Sequence, residues 1–282
     1  MHLHSRKTQL QCNRRRSRLS VQSSGLMFDA AKEVGTGMQT ETIDYRDGEI
    51  TLRGYLTYDD ALTGRRPGVL VMPGGFGLGC NAKGRAEMLA RMGYVALAGD
   101  PYGGGIEIDD LRDVMKRVTE LRADTVSFRR RAQVALDRLI ASPLVDSSRV
   151  AAVGYCLGGT FVLELARGGA SLAGVVTFHG GLETKSPATL GMVKAKLLIL
   201  TGADDPTVPV THIRAFAHEM TKAAVDWQIV TYSGTKHGFT YPDAASRKID
   251  WIEYNKSTMN VPGNLCNRSL RRSSTRSEPF TH

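Results

Sequence analysis

Short apolar runs recur along the middle of the chain, separated by longer stretches that contain polar positions. Runs without internal polar alternation are typical of strands buried on both faces of a sheet, as parallel strands are. Six runs have this character: GVLVM at 68–72, YVALA at 94–98, VAAVGY at 150–155, LAGVVTF at 172–178, KLLILTG at 196–202 and WQIVTY at 227–232. They predict the strands of a parallel sheet.

Other elements precede and separate these runs. TETIDYR and EITLRGYLTY flank Asp47-Gly48, which predicts an antiparallel hairpin at the start of the folded region. Residues 82–92 form a predicted helix with Gly93 as its C-cap, and 108–140 is long enough for two helices. One further helix is indicated by the apolar face of Ile213, Phe216, Ala217, Met220 and Ala224.

Strands that alternate with helices predict an α/β fold, in which a mostly parallel, doubly wound sheet carries helices on both faces. Ligands bind such sheets beyond the carboxyl ends of the strands, so the loops that follow the apolar runs are expected to hold the chemistry.

The chain divides into three regions by composition. Residues 38–256 form the expected single α/β domain, and 1–37 and 257–282 are Arg- and Ser-rich, aperiodic and expected to be disordered. A transit peptide or a basic arm is the alternative for the first region, which is also consistent with an upstream extension of a protein that begins near Met27 or Met38.

Charge argues against a nucleic-acid groove in the domain. The formal charge of the 282 residues is +9, yet the terminal stretches 1–37 and 246–282 carry +5 and +4, so 38–245 has no net charge. Phosphate binding needs a clustered basic face on ordered structure, so no nucleic-acid partner is expected for the domain.

The four cysteines, Cys12, Cys80, Cys156 and Cys266, are widely spaced and predict neither a disulfide framework nor a structural metal. No apolar run approaches the ~20 residues of a membrane helix. The N-terminus also lacks the apolar centre of a secretory signal. A cytoplasmic location is the default expectation, with organelle targeting by the N-terminus as the alternative.

One cysteine lies in a glycine pattern that indicates catalysis. In VAAVGYCLGGTFVLELA, Cys156 falls between Gly154 and Gly158 at a predicted strand-to-helix turn, which matches a nucleophile elbow with cysteine in place of serine. The helix N-terminus favours the thiolate, and the backbone N–H of Leu157 is left to bind an oxyanion. The alternative is an inert buried cysteine, since free cysteine is among the most buried residue types.

Partners for the thiol follow later strands. Asp204 and Asp205 come after KLLILTG, and His237 lies in SGTKHGF after WQIVTY. The chain order nucleophile, acid, histidine at successive strand ends is that of α/β-hydrolases. We therefore favour a catalytic interpretation over the alternatives, in which the acids form a turn and the histidine is an exposed loop residue.

Taken as an ordered set, GYCLGG, GADDPTVP and KHGF, with PGGFGL and DPYGGG, resemble the dienelactone hydrolase family of α/β-hydrolases over residues 40–243. The resemblance implies an α/β-hydrolase fold, with Cys156 as nucleophile, Asp205 as triad acid and His237 as base. Asp205 is preferred to Asp204 because the family's acid precedes the proline of its D-x-x-V-P element by four residues. The resemblance also implies a second oxyanion donor, the backbone N–H of Gly75.

The sequence departs from the family in two places. Members commonly have His-Glu before Phe-Gly-Leu, and in dienelactone hydrolase itself that glutamate takes part in activating the thiol, whereas this chain has Pro73-Gly74. After His237, AASRKIDWIEYNKS allows only a short helix, from which we expect looser packing beside the histidine loop. No arginine matches the family's substrate-carboxylate arginines, and the run at 129–131 is expected to form a solvated helix face.

The predicted activity is hydrolysis of carboxylic esters or lactones through an acyl-enzyme, with a small-molecule substrate and neither a cofactor nor a metal. Phe76, Tyr102 and His179 are candidates to line the pocket, and His179 is preferred as a lining or structural residue over a rival base. The alternatives are a hydrolase of amides or other bonds and a non-catalytic binding protein of the same fold. No membrane partner is expected, and the chain is expected to be a monomer or a homodimer.

Overall fold

A computed structural model describes residues 37–258, in which one eight-stranded sheet forms the centre of the domain. Its strands are β1 Met38–Asp47, β2 Ile50–Asp59, β3 Arg66–Met72, β4 Val95–Ala98, β5 Val145–Tyr155, β6 Gly174–Phe178, β7 Lys196–Gly202 and β8 Trp227–Tyr232. They are ordered β1-β2-β4-β3-β5-β6-β7-β8. The pairs β1/β2 and β2/β4 are antiparallel and all the others are parallel. The predicted hairpin and the six predicted parallel strands are confirmed.

Five α-helices connect the strands of this region: α1 Cys80–Arg91, α2 Leu111–Ala123, α3 Thr125–Ile140, α4 Leu157–Arg167 and α5 Val210–Lys222. A 3₁₀ helix follows at Ala244–Arg247. The long helical stretch divides in two at Asp124, whose carboxylate accepts a hydrogen bond from the Val126 N–H and caps α3. Gly93 follows α1 with a positive φ of 92°, as a helix-terminating glycine does.

Two apolar layers cover the two faces of the sheet. Along β3, Leu70 and Met72 pack into the layer with α3 and α4, whereas Val69 and Val71 pack into the layer with α1. This alternation follows from the two-residue period of a strand. Central strands such as β3, β4 and β5 contribute side chains to both layers, so they require uninterrupted apolar runs. The predicted mostly parallel, doubly wound α/β sheet is confirmed.

The expectation of a solvated face for the arginine run at 129–131 is wrong for Arg129 and Arg131, whereas Arg130 is exposed. Arg131 is buried, and its Nε donates to Asp47 Oδ2 at 2.5 Å, at the end of β1. Arg130 pairs with the other oxygen of the same carboxylate, and Arg129 Nε lies 2.8 Å from Glu164 on α4. These arginines tie α3 to the hairpin and to α4, since their carboxylate partners come from distant parts of the chain.

No helix within residues 37–258 combines the length and apolar character that crossing a bilayer would need. Neither Cys80 nor Cys156 is in a disulfide bond. The expectations for the two basic termini, including Cys12 and Cys266, fall outside the described residues, apart from the first residues after 256.

Candidate active site

The turn between β5 and α4 presents Cys156 at the carboxyl edge of the sheet. Cys156 has a φ of 54°, a strained conformation for a non-glycine residue. A Cβ on Gly154 would overlap the carbonyl oxygen of Gly158, and one on Gly158 would overlap that of Met72. Glycine is therefore needed on both sides of the cysteine, because the reversal of the chain leaves no room for a side chain at Gly154 and the end of β3 leaves none at Gly158. The turn and its packing against β3 thus account for the Gly-x-Cys-x-Gly pattern.

Opposing influences act on the Cys156 thiol. Burial raises its pKa, but the positive charge of His237 and the backbone N–H groups of Gly75 and Leu157 outweigh that effect, so the thiol pKa is lowered. The negative sulfur and the hydrogen bond to Asp205 in turn raise the pKa of His237, against the effect of its burial. The site therefore favours a thiolate beside an imidazolium, the reactive form of such a pair.

Asp205 and His237 are joined directly. The His237 Nδ1 lies 2.7 Å from Asp205 Oδ2, and both side chains are buried. The other carboxylate oxygen, Oδ1, accepts from the Thr207 N–H at 2.8 Å and from its hydroxyl at 2.7 Å. Burial acts to raise the Asp205 pKa, but these hydrogen bonds and the charge of His237 lower it. A fixed, ionised carboxylate therefore orients the imidazole.

The neighbouring Asp204 has a different environment. Its side chain is exposed, and its backbone N–H donates to the Thr235 carbonyl oxygen at 3.0 Å, which holds the β7 loop against the histidine loop. Of the two adjacent acids, only Asp205 reaches His237. Thr207 was not singled out from the sequence, although its place two residues after Asp205 is typical of a threonine that bonds a carboxylate.

The two backbone amides expected to form an oxyanion hole both interact with the Cys156 sulfur. Leu157 is the first residue of α4, and Gly75 lies in the loop between β3 and α1. The Tyr102 hydroxyl donates to the Gly75 carbonyl oxygen at 2.7 Å and so fixes that peptide. Phe76, the next residue, is covered by the guanidinium of Arg247, 3.6 Å from its ring centroid. Tyr102 and Phe76 thus both lie at this loop.

Tyr241 was not predicted from the sequence, although it lies only four residues after His237. Its hydroxyl oxygen occupies the space next to Gly74, where a Cβ would overlap it and would lie 3.4 Å from the Cys156 Cβ. Burial and the negative charge of Cys156 raise the pKa of Tyr241, so its hydroxyl keeps its proton. The neutral hydroxyl of Tyr241 therefore lies near Cys156, in the space that a side chain at Gly74 would occupy.

This close approach leads to a prediction about Gly74. Gly74→Ala is expected to lower kcat/KM for an ester substrate about tenfold, because relieving an overpacked contact costs roughly 1–3 kcal/mol and displaces the Tyr241 ring. The double variant Gly74→Ala/Tyr241→Phe lacks the overlapping oxygen and should recover most of the loss. Steady-state kinetics of both variants and of Tyr241→Phe alone measure the coupling.

Gly84→Ala is the matched control, because Gly84 is an exposed residue of α1 where an added Cβ would meet nothing within 4 Å. Equal losses in Gly74→Ala and in the double variant would show that the hydroxyl is not what limits this position.

The segment after His237 packs closely against it, so the expectation of looser packing is wrong. Ile252 pairs with His237 in a short parallel bridge, and the Glu253 N–H donates to the His237 carbonyl oxygen at 3.0 Å. The Trp251 ring centroid lies 5.3 Å from that of the imidazole. The expected short helix is the 3₁₀ helix, and residues 251–253 after it pack against the histidine loop.

His179 is fully buried beside the proposed base, with its ring centroid 4.7 Å from that of His237. Its Nε2 lies 2.9 Å from the Thr240 hydroxyl. Burial and the nearby positive charge of His237 hold its pKa well below the usual range. A neutral histidine without a carboxylate partner is a poor rival for the role of base.

A cleft of about 590 Å³ lies between α2, the start of α3, α4 and the loop at 183–185. Val118, Arg122, Phe128, Thr160 and Lys185 are among its lining residues. Val118 also faces Gly75, where an added Cβ would lie 3.3 Å from it. The cleft therefore adjoins the loop that carries the proposed oxyanion donor.

Known proteins resemble this chain over most of the described domain. The model of the Dienelactone hydrolase family matches residues 52–261. A probable 2-oxo-3-(5-oxofuran-2-ylidene)propanoate lactonase of Bradyrhizobium is 29% identical over 218 residues, which span 72% of this chain and 86% of the relative. Carboxymethylenebutenolidase 2 of Cupriavidus pinatubonensis is 31% identical over 190 residues, 62% of this chain and 74% of the relative.

Among solved structures, a crystal structure of a dienelactone hydrolase-like promiscuous phosphotriesterase from metagenomic libraries is 37% identical. It superposes with a TM-score of 0.81, covering 85% of this chain and all of that one. The likeness extends over the whole described domain rather than over an isolated motif.

Proposed function

Since the chain belongs to the dienelactone hydrolase family, we propose that it hydrolyses carboxylic esters or lactones through a Cys156 nucleophile, a His237 base and an Asp205 acid. One observation carries the proposal: a thiol of lowered pKa lies on a strained glycine turn, beside an imidazole whose far nitrogen is 2.7 Å from a buried carboxylate. The relatives named as lactonase and carboxymethylenebutenolidase support ester or lactone substrates.

Acylation begins with attack of the Cys156 thiolate on the carbonyl carbon of the substrate. As the sulfur–carbon bond forms, the negative charge moves from the sulfur to the carbonyl oxygen. The backbone N–H groups of Gly75 and Leu157 donate hydrogen bonds to that oxyanion. The tetrahedral intermediate then expels the alkoxide, and the His237 imidazolium gives it a proton from Nε2, since Nδ1 is held by Asp205. The products of this half are an alcohol and a thioester on Cys156.

Deacylation reverses these roles. The neutral His237 takes a proton from water while the hydroxide oxygen attacks the thioester carbon, and the same two amides hold the second oxyanion. Collapse of that intermediate releases the carboxylic acid and restores the thiolate–imidazolium pair. Asp205 stays ionised throughout, because its hydrogen bonds lower its pKa. For a lactone, acid and alcohol remain parts of one opened molecule.

The surroundings of the thiol favour apolar, unsaturated or aryl substrates. Tyr241 and Tyr102 flank the Gly74–Gly75 loop, and Trp251 packs beside His237. Arg247, a cation of this region, is stacked on Phe76. Flat substrates can pack against such aromatic surfaces.

Phosphotriesters are a second candidate substrate class. They are favoured by the 37% identical dienelactone hydrolase-like protein that is described as a promiscuous phosphotriesterase. The same thiolate and oxyanion donors would serve attack at phosphorus. Amide hydrolysis and a non-catalytic binding role remain alternatives that use the same residues, and both are decided by the experiment below.

The proposal is tested by following p-nitrophenyl acetate hydrolysis in the first turnover. We expect a burst of p-nitrophenolate of about one equivalent per active site, because attack on an activated ester is faster than hydrolysis of the thioester. Acid quenching and peptide mass spectrometry should find the acetyl group on Cys156. A panel of aryl esters, lactones, aryl amides and an aryl phosphotriester then ranks the substrate classes by kcat/KM.

Iodoacetamide at one equivalent should abolish the burst by alkylating the same cysteine. Acetylation found on Cys80 rather than Cys156, or turnover that survives complete alkylation of Cys156, would contradict the proposal. Binding of panel compounds without turnover of any of them would favour the non-catalytic alternative.

A further inference from the structure

Three donor atoms from three different loops converge at the carboxyl edge of the sheet. Cys156, His179 and His237 each offer one ligand atom, and these atoms lie within 4.8 Å of one another. Cys156 follows β5, His179 follows β6 and His237 follows β8. The proposed hydrolysis uses the cysteine and one histidine but leaves His179 without a chemical task.

Each imidazole has one nitrogen held by an oxygen and the other left over. His237 Nδ1 lies 2.7 Å from Asp205 Oδ2, and His179 Nε2 lies 2.9 Å from the Thr240 hydroxyl. Of the remaining nitrogens, that of His237 is left to interact with the Cys156 sulfur, and His179 Nδ1 is buried with no hydrogen-bond partner within residues 37–258. Buried polar atoms are usually paired, so an unpaired His179 nitrogen near the thiol is unusual.

This pattern is the one that metal-binding histidines show. Such a histidine binds the metal through one nitrogen and donates its other N–H to a carboxylate or another oxygen, which fixes the tautomer and the ring orientation. Here Asp205 and Thr240 occupy those outer positions.

We infer that Cys156, His179 and His237 form a three-ligand site for a thiophilic divalent cation, with Zn²⁺ the best match, which reversibly blocks the nucleophile. One sulfur and two imidazole nitrogens suit Zn²⁺, whereas Mg²⁺ and Ca²⁺ require oxygen ligands. Zn–S and Zn–N bonds of about 2.3 and 2.0–2.1 Å need ligand atoms about 3.5 Å apart, so the three atoms must approach one another by up to about 1.3 Å. A water molecule completes the tetrahedron.

Binding has a defined proton balance. The metal takes the thiolate of Cys156, the neutral His179 nitrogen and the Nε2 of His237, and the proton that His237 carries in the resting ion pair is released to solvent. The bound state has neither a free thiolate nor a free base. The site stands on the three donor atoms, and only its inhibitory effect rests on the proposed function.

Co²⁺ is the probe for the site, because Zn²⁺ has a filled d shell and no visible d–d absorption. Chelator-treated full-length protein is titrated with Co²⁺, and then with Zn²⁺ in competition. We expect one equivalent to bind with a thiolate-to-cobalt charge-transfer band, which Cys156→Ser loses. His179→Gln should weaken Co²⁺ and Zn²⁺ binding by at least the roughly 10- to 100-fold that loss of an outer partner costs.

Thr240→Val is the second variant, because it keeps the His179 ring but removes the oxygen that fixes its tautomer. It should weaken binding by about 10- to 100-fold. His212→Gln is the matched control, since His212 is a partly exposed histidine of α5 that pairs with Glu183 at 3.1 Å. It should bind Co²⁺ as the unaltered protein does.

The inference is wrong if His179→Gln binds Co²⁺ as tightly as the unaltered protein, or if bound Co²⁺ gives no thiolate band. Zn²⁺ should also inhibit ester hydrolysis, and the concentration that halves the rate should equal the concentration that half-fills the metal site. Addition of chelator should restore the rate. The two proposals are separable, because metal binding is read without substrate. Hydrolysis without metal binding overturns only the metal site, and metal binding without hydrolysis overturns only the enzymatic proposal.

Discussion

Cys156→Ala is expected to lower kcat/KM for p-nitrophenyl acetate by a factor on the order of 10⁴ to 10⁶, because removing the nucleophile leaves only the oxyanion donors and substrate binding. The elbow itself should persist, since Gly154 and Gly158 make the turn and the side chain at 156 is partly exposed. Steady-state rates, corrected for spontaneous hydrolysis, measure the loss.

Two further variants accompany this prediction. Cys80→Ala changes the other described cysteine, on α1, and should retain ester hydrolysis. Cys156→Ser keeps an oxygen nucleophile in the same turn but lacks the acidity of a thiol, so it should retain no more than a small fraction of the rate. Thermal unfolding of each variant controls for misfolding. A Cys156→Ala protein with a near-normal rate would end the nucleophile assignment.

Asp205→Asn has the second largest expected effect, a fall in kcat on the order of 10⁴. The amide preserves the shape of the side chain but presents an N–H or a neutral oxygen to His237 Nδ1, so the imidazole loses both its fixed tautomer and its counter-charge. The Thr207 contacts to the same carboxylate should hold the new side chain in place. The fall should therefore appear in kcat rather than in the folded fraction.

Asp204→Asn is a close control, because the adjacent carboxylate is exposed and makes no contact with His237. It should change kcat less than twofold. The rate of Cys156 alkylation gives an independent measurement: Asp205→Asn should slow it near neutral pH, since a less basic His237 stabilises the thiolate less. A large loss in Asp204→Asn with a small one in Asp205→Asn would reverse the choice of acid.

Much of the fold is legible in local patterns. Uninterrupted apolar runs identified the parallel strands, and Asp47-Gly48 located the hairpin, because strand burial and turn geometry depend on neighbouring residues. The cysteine turn is only partly local, because Gly154 packs against Gly158, four residues on, whereas Gly158 packs against Met72 at the end of β3. Side-chain pairing across the fold is not local, and there the sequence misled: Arg131 was expected in solvent and lies buried against Asp47.

In the candidate site, too, some features follow from local sequence and others depend on contacts across the fold. Sequence alone indicated that Cys156, Asp205 and His237 end three strands of one sheet, and strand ends that share an edge bring such residues near one another. Only the tertiary structure decided that Asp205 lies 2.7 Å from the imidazole, that Tyr241 fills the space next to Gly74, and that His179 packs against His237. The physical reason is the distance along the chain over which the interactions act. Periodicity and turn chemistry act over a few residues, whereas these contacts depend on strand order and loop packing across tens of residues.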